Sequence, residues 1–157
     1  MPRYCKGKAK SSYATRRVPT LIILETINSK LFDMKAIATK NAPAAIGPYS
    51  QAIEANGFVY ASGQLPIDPA TGAFPEGGIK EQTRQSLLNA QAILREAGLE
   101  LANVVKTTVL LADIADFGAM NEVYSEFFAQ PYPARSAFAV RDLPKGALVE
   151  IECIAAK

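Results

Sequence analysis

Ala147-Leu148-Val149-Glu150-Ile151-Glu152-Cys153-Ile154-Ala155 decides how this chain folds. Side chains along a β-strand alternate between the faces of a sheet, so Val149, Ile151 and Cys153 share one face. Leu148, Glu150, Glu152 and Ile154 share the other. The first set suits burial under helices. The second mixes apolar and acidic groups, which predicts a sheet face buried against another subunit and hence an oligomer. Desolvation raises the pKa of a carboxyl group in such a setting towards the range useful for moving protons. A second charge occupies another apolar strand upstream, Arg135 in Pro133-Ala134-Arg135-Ser136-Ala137-Phe138-Ala139-Val140. Unpaired charges in apolar strands are costly, and arginine's planar fork suits a carboxylate held by two parallel hydrogen bonds. Arg135 and Glu150 together predict a pocket for a small carboxylic acid with an acid/base group nearby. A structural ion pair between Arg135 and Glu150 or Glu152 is the alternative.

The preceding chain supplies the rest of an α+β fold. Lys35–Thr39 reads as a short strand, followed by a Pro/Gly-punctuated loop from Asn41 to Pro48. Ser50–Ala55, the turn Asn56-Gly57 and Phe58–Gly63 read as a hairpin, because Asn-Gly tolerates the positive φ angles of a type I′ turn. Residues 80–97 switch to helical spacing, with Thr83, Leu87, Ala90, Leu94 and Ala97 on one face and Gly98 as the terminator. Val104–Ala112 is a β-branched strand. Asp113 caps a second helix with Phe117, Met120, Val123 or Tyr124, and Phe127 on its inner side. Strands at 135–140 and 148–155 close the order β-β-β-α-β-α-β-β, with both helices able to cover one sheet face.

Composition narrows the chemistry. A chain of 157 residues, 49% hydrophobic and 20% charged, is ordinary for one soluble domain. Residues 1–33 hold seven Lys/Arg against two acidic residues, and residues 34–157 hold ten against thirteen. The net negative body is a poor match for nucleic acid. Residues 1–33 are read as a basic extension outside the fold, with Met34 as the natural start and residues 34–157 as the domain. Leu21-Ile22-Ile23-Leu24 is too short for a membrane span or secretory leader, and two cysteines in unlike contexts offer no disulfide framework, so a reducing compartment, the cytoplasm, is expected. The basic, acid-poor stretch also fits an organelle transit peptide, the second reading. The chain has no histidine, which excludes a Ser-His-Asp triad and the His-containing zinc sites. Cys5 and Cys153 form no metal-ligand spacing, so no metal is expected.

Ala42-Pro43-Ala44-Ala45-Ile46-Gly47-Pro48-Tyr49-Ser50-Gln51 resembles the amino-terminal signature of the RidA (YjgF-type) reactive-intermediate deaminases. Ala61-Ser62-Gly63-Gln64, Val105-Lys106-Thr107-Thr108-Val109, Tyr132-Pro133-Ala134-Arg135-Ser136 and Leu143-Pro144 with Val149-Glu150-Ile151-Glu152 resemble the later ones, in order. The resemblance implies a chorismate-mutase-like fold assembled as a homotrimer with clefts between subunits. It implies hydrolysis of 2-imino acids, tautomers of the enamines released by pyridoxal-phosphate dehydratases, to 2-keto acids and ammonia. Arg135 would then clamp the substrate carboxylate, Tyr49 border the pocket beside the Gly63 backbone, and Glu150 position or activate water. Asn121 and Tyr124 would line the cleft. Ala137 stands where many relatives carry cysteine, which removes thiol chemistry there.

Hydrolysis of an activated imine needs water, orientation and proton transfer, so no cofactor is expected. A regulatory module that binds 2-keto acids through the same arginine without turnover is the alternative. Ribonuclease activity is the third reading, disfavoured by the acidic body and the missing histidine.

Overall fold

The computed structural model describes residues 33–157, so the basic extension, apart from Asp33, lies outside the described residues. Six strands and two α-helices follow the expected order: β1 (Lys35–Ile37), β2 (Ala52–Ala55), β3 (Phe58–Gln64), α1 (Ile79–Glu96), β4 (Val104–Leu111), α2 (Phe117–Phe127), β5 (Ala134–Ala139) and β6 (Val149–Ala156). One mixed sheet has the spatial order β1-β2-β3-β6-β4-β5. All neighbours are antiparallel except β4 and β5. A parallel pair needs a crossover, and α2 supplies it. No helix among the described residues is long and apolar enough to cross a membrane.

Local chemistry sets the joints. Asn56 and Gly57 adopt φ of 52° and 78°, the left-handed pair that a tight turn between Ala55 and Phe58 requires. The Asp113 carboxylate accepts a hydrogen bond from the Ala115 N–H at 2.9 Å and caps the 3₁₀ turn that leads into α2. At the end of α1, Gly98 has φ of +75°. Its N–H donates to the Arg95 carbonyl, and the Leu99 N–H to the Leu94 carbonyl, at 3.0 and 2.9 Å. This reciprocal pair satisfies carbonyls the helix leaves free. Space is open around Gly98, so a Gly98→Ala change costs backbone strain alone, about 1 kcal/mol. Thermal unfolding should show a melting temperature lower by a few degrees with unchanged activity.

Both helices lie on one side of the sheet. Leu87, Ile93 and Leu94 of α1 and Met120 and Val123 of α2 are fully buried with Val59, Val109, Leu111, Val149 and Ile151 of the strands. The expected alternation in β6 holds: Val149, Ile151 and Cys153 are buried, Glu150 and Ile154 half-buried and Glu152 exposed. Burial pushes the Cys153 thiol up to about 12, with Glu152 adding to the effect, so the sulfur is an inert small hydrophobe.

The opposite face is open. Register places Tyr60, Ile154 and Lys106 in one row, Glu152, Thr108 and Ser136 in the next, and Glu150, Leu110 and Phe138 in a third. Phe58, Tyr60 and Phe138 are 39%, 46% and 48% exposed there. Single exposed apolar side chains are common, but here three aromatic rings stand exposed on one sheet face.

Candidate active site

Arg135 sits at the second position of β5, an edge strand, opposite Thr107 of β4. Thr107 is buried on the helix side, and Arg135 points to that side as well. Its guanidinium stacks on the Tyr124 ring, 4.6 Å from the centroid, and lies 5.6 Å from that of Phe117. The Tyr124 hydroxyl shares a 2.8 Å hydrogen bond with Thr107 Oγ1. Burial raises the Tyr124 pKa, partly offset by that hydrogen bond and by Arg135. The phenol therefore stays neutral, with its oxygen committed to Thr107. Tyr124 orients Arg135 with its ring face.

Asn121, Tyr124, Ser125, Tyr132, Pro133 and Arg135 line an open cleft of about 380 Å³. No ion pair among the described residues includes Arg135. Its fork is thus available to an incoming carboxylate. Tyr132 was not anticipated as a site residue; the signal was an aromatic set between Pro131 and Pro133, just ahead of the arginine.

Glu150 is elsewhere. Opposite Leu110 of β4, it lies on the open face, whereas Arg135 aligns through Thr107 with Cys153 on the helix face. Cys153 and Glu150 are three residues apart in one strand, and an odd separation puts side chains on opposite faces. The expectation of one pocket holding both is corrected for a single protomer, and so is the structural ion pair between them. The physical reason is strand parity.

The Glu150 carboxyl lies against the backbone of Gly63. A methyl group built on Gly63 would overlap Glu150 Oε1 and stand 2.8 Å from its Cδ. The pairing of β3 with β6 slips at this point, between Ala61 and Gln64, so Gly63 belongs to a bulge. Burial raises the Glu150 pKa above the ordinary carboxylate range, and the like charge of Glu152 adds to it. A Gly63→Ala variant should fold, because the clash falls on the movable end of a side chain. The methyl group should push the carboxyl towards solvent and bring its pKa down towards the ordinary range, read by carbon-13 NMR, with little change in melting temperature.

Tyr49 precedes β2 and is 54% exposed, its hydroxyl accepting a 3.3 Å hydrogen bond from the Ile46 N–H. Its loop is tied to the strand that carries Gly63: the Ser62 hydroxyl donates to the Ser50 carbonyl at 2.7 Å, and the Ser62 N–H to the Gln51 carbonyl at 3.0 Å. The six anticipated residues thus fall into two sets, Arg135, Tyr124 and Asn121 around the cleft, and Glu150, Gly63 and Tyr49 around the bulge.

Among the described residues, a mixed sheet backed by two helices, with an arginine-lined cleft at its edge, defines an α+β protein. The family model described as Endoribonuclease L-PSP matches residues 39–157, and the chain belongs to that family, the RidA (YjgF) family. It is 54% identical over 121 residues to the 2-iminobutanoate/2-iminopropanoate deaminase of Capra hircus, covering 77% of this chain and 88% of the relative. A RutC family protein of Pyrococcus horikoshii is 55% identical over 123 residues, covering 78% and 98%. The crystal structure of E. coli TdcF with bound serine superposes with a TM-score of 0.75 at 44% identity, covering 78% and 98%.

Proposed function

We propose that this chain hydrolyses 2-imino acids of the 2-iminobutanoate/2-iminopropanoate type to 2-keto acids and ammonia, in a homotrimer with its clefts between protomers. The observation that carries the reading is the placement of Arg135 and Glu150 on opposite faces of one sheet. Each is equipped for half of the reaction: a cation with no carboxylate partner among the described residues, and a carboxyl whose pKa is raised. Laying the open face of one protomer against the Arg135 edge of the next joins the halves, and a cyclic arrangement repeats that contact until it closes. Such a contact also buries the exposed Phe58, Tyr60 and Phe138.

The chemistry follows from the groups. Arg135 holds the substrate carboxylate by two hydrogen bonds and fixes the imine carbon. The Glu150 carboxylate of the adjoining protomer takes a proton from the water that attacks this carbon. The carbinolamine so formed carries both hydroxyl and amine. With the imine entering in its protonated form, Glu150 returns its proton to the nitrogen and then takes the hydroxyl proton as the C–N bond breaks and C=O forms; ammonia leaves and carries that last proton away as ammonium. Tyr49 borders the bulge side, and Asn121 and Tyr132 flank the substrate side chain. The substrate is a free cytoplasmic metabolite, with no nucleic acid or membrane involved.

The names of the mammalian relatives support the reaction. Serine in the TdcF structure supports a ligand of amino-acid size. The test generates 2-iminobutanoate in situ with an amino-acid oxidase or dehydratase and traps it with semicarbazide. Wild-type protein should suppress trapping. Unchanged trapping, with a 2-keto acid still bound through Arg135, would make the protein a binding module.

A further inference from the structure

Helix α1 carries two buried amides that the proposed reaction does not use. Gln82 and Asn89 are seven residues apart, two helical turns or about 10 Å along the axis, and are 7% and 1% exposed. The Gln82 Oε1 accepts the Leu148 N–H at 2.8 Å. The Asn89 Nδ2 donates to the Leu65 and Ile67 carbonyls at 3.0 and 2.9 Å. Asn89 is itself held by Gln85, whose Nε2 donates to its Oδ1 at 2.9 Å.

The partners share a property. Leu148 is the last residue before β6, and Leu65–Ile67 is the chain just after β3. The Leu148 carbonyl still accepts the Ala112 N–H, and the Leu65 carbonyl the Ile67 N–H, at 2.9 and 2.8 Å, but the Leu148 N–H and the Ile67 carbonyl fall outside the strand ladder and are paired by the amides. These two stretches lead directly to Glu150 and Gly63, which touch on the far face. The bulge between Ala61 and Gln64 breaks the ladder that would otherwise fix their spacing. Thr83, Ser86 and Ala90, all small and buried, occupy the same helix face and let α1 approach the sheet closely.

We propose that Gln82 and Asn89 are positioning residues for the reaction, a two-point clamp through which α1 holds the Glu150 carboxyl over Gly63. The proposal rests on the deaminase reading for its kinetic consequence but not for its geometric one. Neither amide reaches the site; both act through backbone. An apolar side chain of equal volume would pack there equally well, leaving the Leu148 N–H unpaired and the start of β6 held only on its other edge, where the Leu148 carbonyl accepts the Ala112 N–H at 2.9 Å. Glu150, whose charged neighbour on the open face is Glu152, would then gain hydration and titrate closer to the ordinary carboxylate range.

The experiment compares wild type, Gln82→Met, Gln82→Glu and Asn89→Asp in the full chain. Glu150 titration is followed by carbon-13 NMR, assigned with Glu150→Gln, beside kcat and KM for imine hydrolysis and the melting temperature. Gln82→Met should lower kcat about tenfold at unchanged KM, and move the Glu150 midpoint down. Gln82→Glu keeps the acceptor and should restore both. Asn89→Asp removes the donors, should resemble Gln82→Met, and stands in for it should that variant not fold. A lowered melting temperature with kcat and midpoint intact would make the amides merely structural and overturn the proposal. So would a Gln82→Glu variant no better than Gln82→Met. An inactive wild type whose Glu150 midpoint still falls in Gln82→Met supports the clamp and overturns the deaminase reading alone.

Discussion

Replacing Arg135 with alanine should lower kcat/KM for 2-imino acids by about a hundredfold to a thousandfold, as expected when a charge-assisted bidentate contact worth about 3–4 kcal/mol is lost. Most of the loss should appear in KM, because the guanidinium holds the carboxylate in ground state and transition state alike. Arg135 is in no ion pair among the described residues, so removing it orphans no buried carboxylate. What the fold loses is its stacking on Tyr124 and Phe117. The melting temperature should therefore change little. Arg135→Lys keeps the charge without the planar fork and should recover only part of the activity. Steady-state kinetics with the trapping assay separate these outcomes, and an unchanged KM in Arg135→Ala would remove Arg135 from substrate binding.

Glu150→Gln should leave KM nearly unchanged and lower kcat by about a hundredfold to ten-thousandfold, the usual contribution of a positioned general base. Glutamine keeps the shape against Gly63 and cannot accept the proton. The pH dependence has a definite sign. The proposed reaction requires the ionised carboxyl, and burial followed by Glu152 raises its pKa, so the acid limb of kcat should lie above the ordinary glutamate range. For stability, a folded-state pKa above the unfolded value means that the native protein binds the extra proton. That contribution is fully present below the unfolded pKa and is lost as pH rises through the folded one. Glu150→Gln lacks this loss, so its melting temperature should improve relative to wild type as pH rises through that window. The opposite trend would show that ionised Glu150 is stabilised in the native protein.

Much of the fold was legible because its signals are local. Asn56-Gly57 fixed a hairpin, Gly98 ended α1, and alternation along Val149–Ala155 assigned the two faces of β6. The site was legible only in part. Arg135 and Glu150 were recognisable as charges in apolar strands, but their placement on opposite faces depends on how β5 aligns with β4 and β4 with β6. That register is tertiary. The β4–β6 pairing slips at Val104/Lys106, which no short-range pattern announces. Gln82 and Asn89 escaped notice for a related reason. A search for apolar periodicity picks out Leu87 and Leu94 and passes over buried amides, whose partners at Leu148, Leu65 and Ile67 are distant in sequence. Apolar spacing left Val123 or Tyr124 for the inner side of α2; both are buried there, and the Tyr124 hydroxyl is spent on Thr107.

The proposed active site is assembled from two protomers. Co-expressing Arg135→Ala and Glu150→Gln chains with different affinity tags, and purifying through both tags, isolates mixed oligomers. Each variant alone should be nearly inactive. A contact that joins Arg135 of a Glu150→Gln chain to Glu150 of an Arg135→Ala chain restores one complete site, and random mixing of equal amounts gives roughly a quarter of wild-type sites. Purification through both tags discards the unmixed oligomers and raises that share. Recovered imine hydrolysis in the mixed species is the predicted result. Mixed oligomers as inactive as either parent would contradict a site shared between protomers.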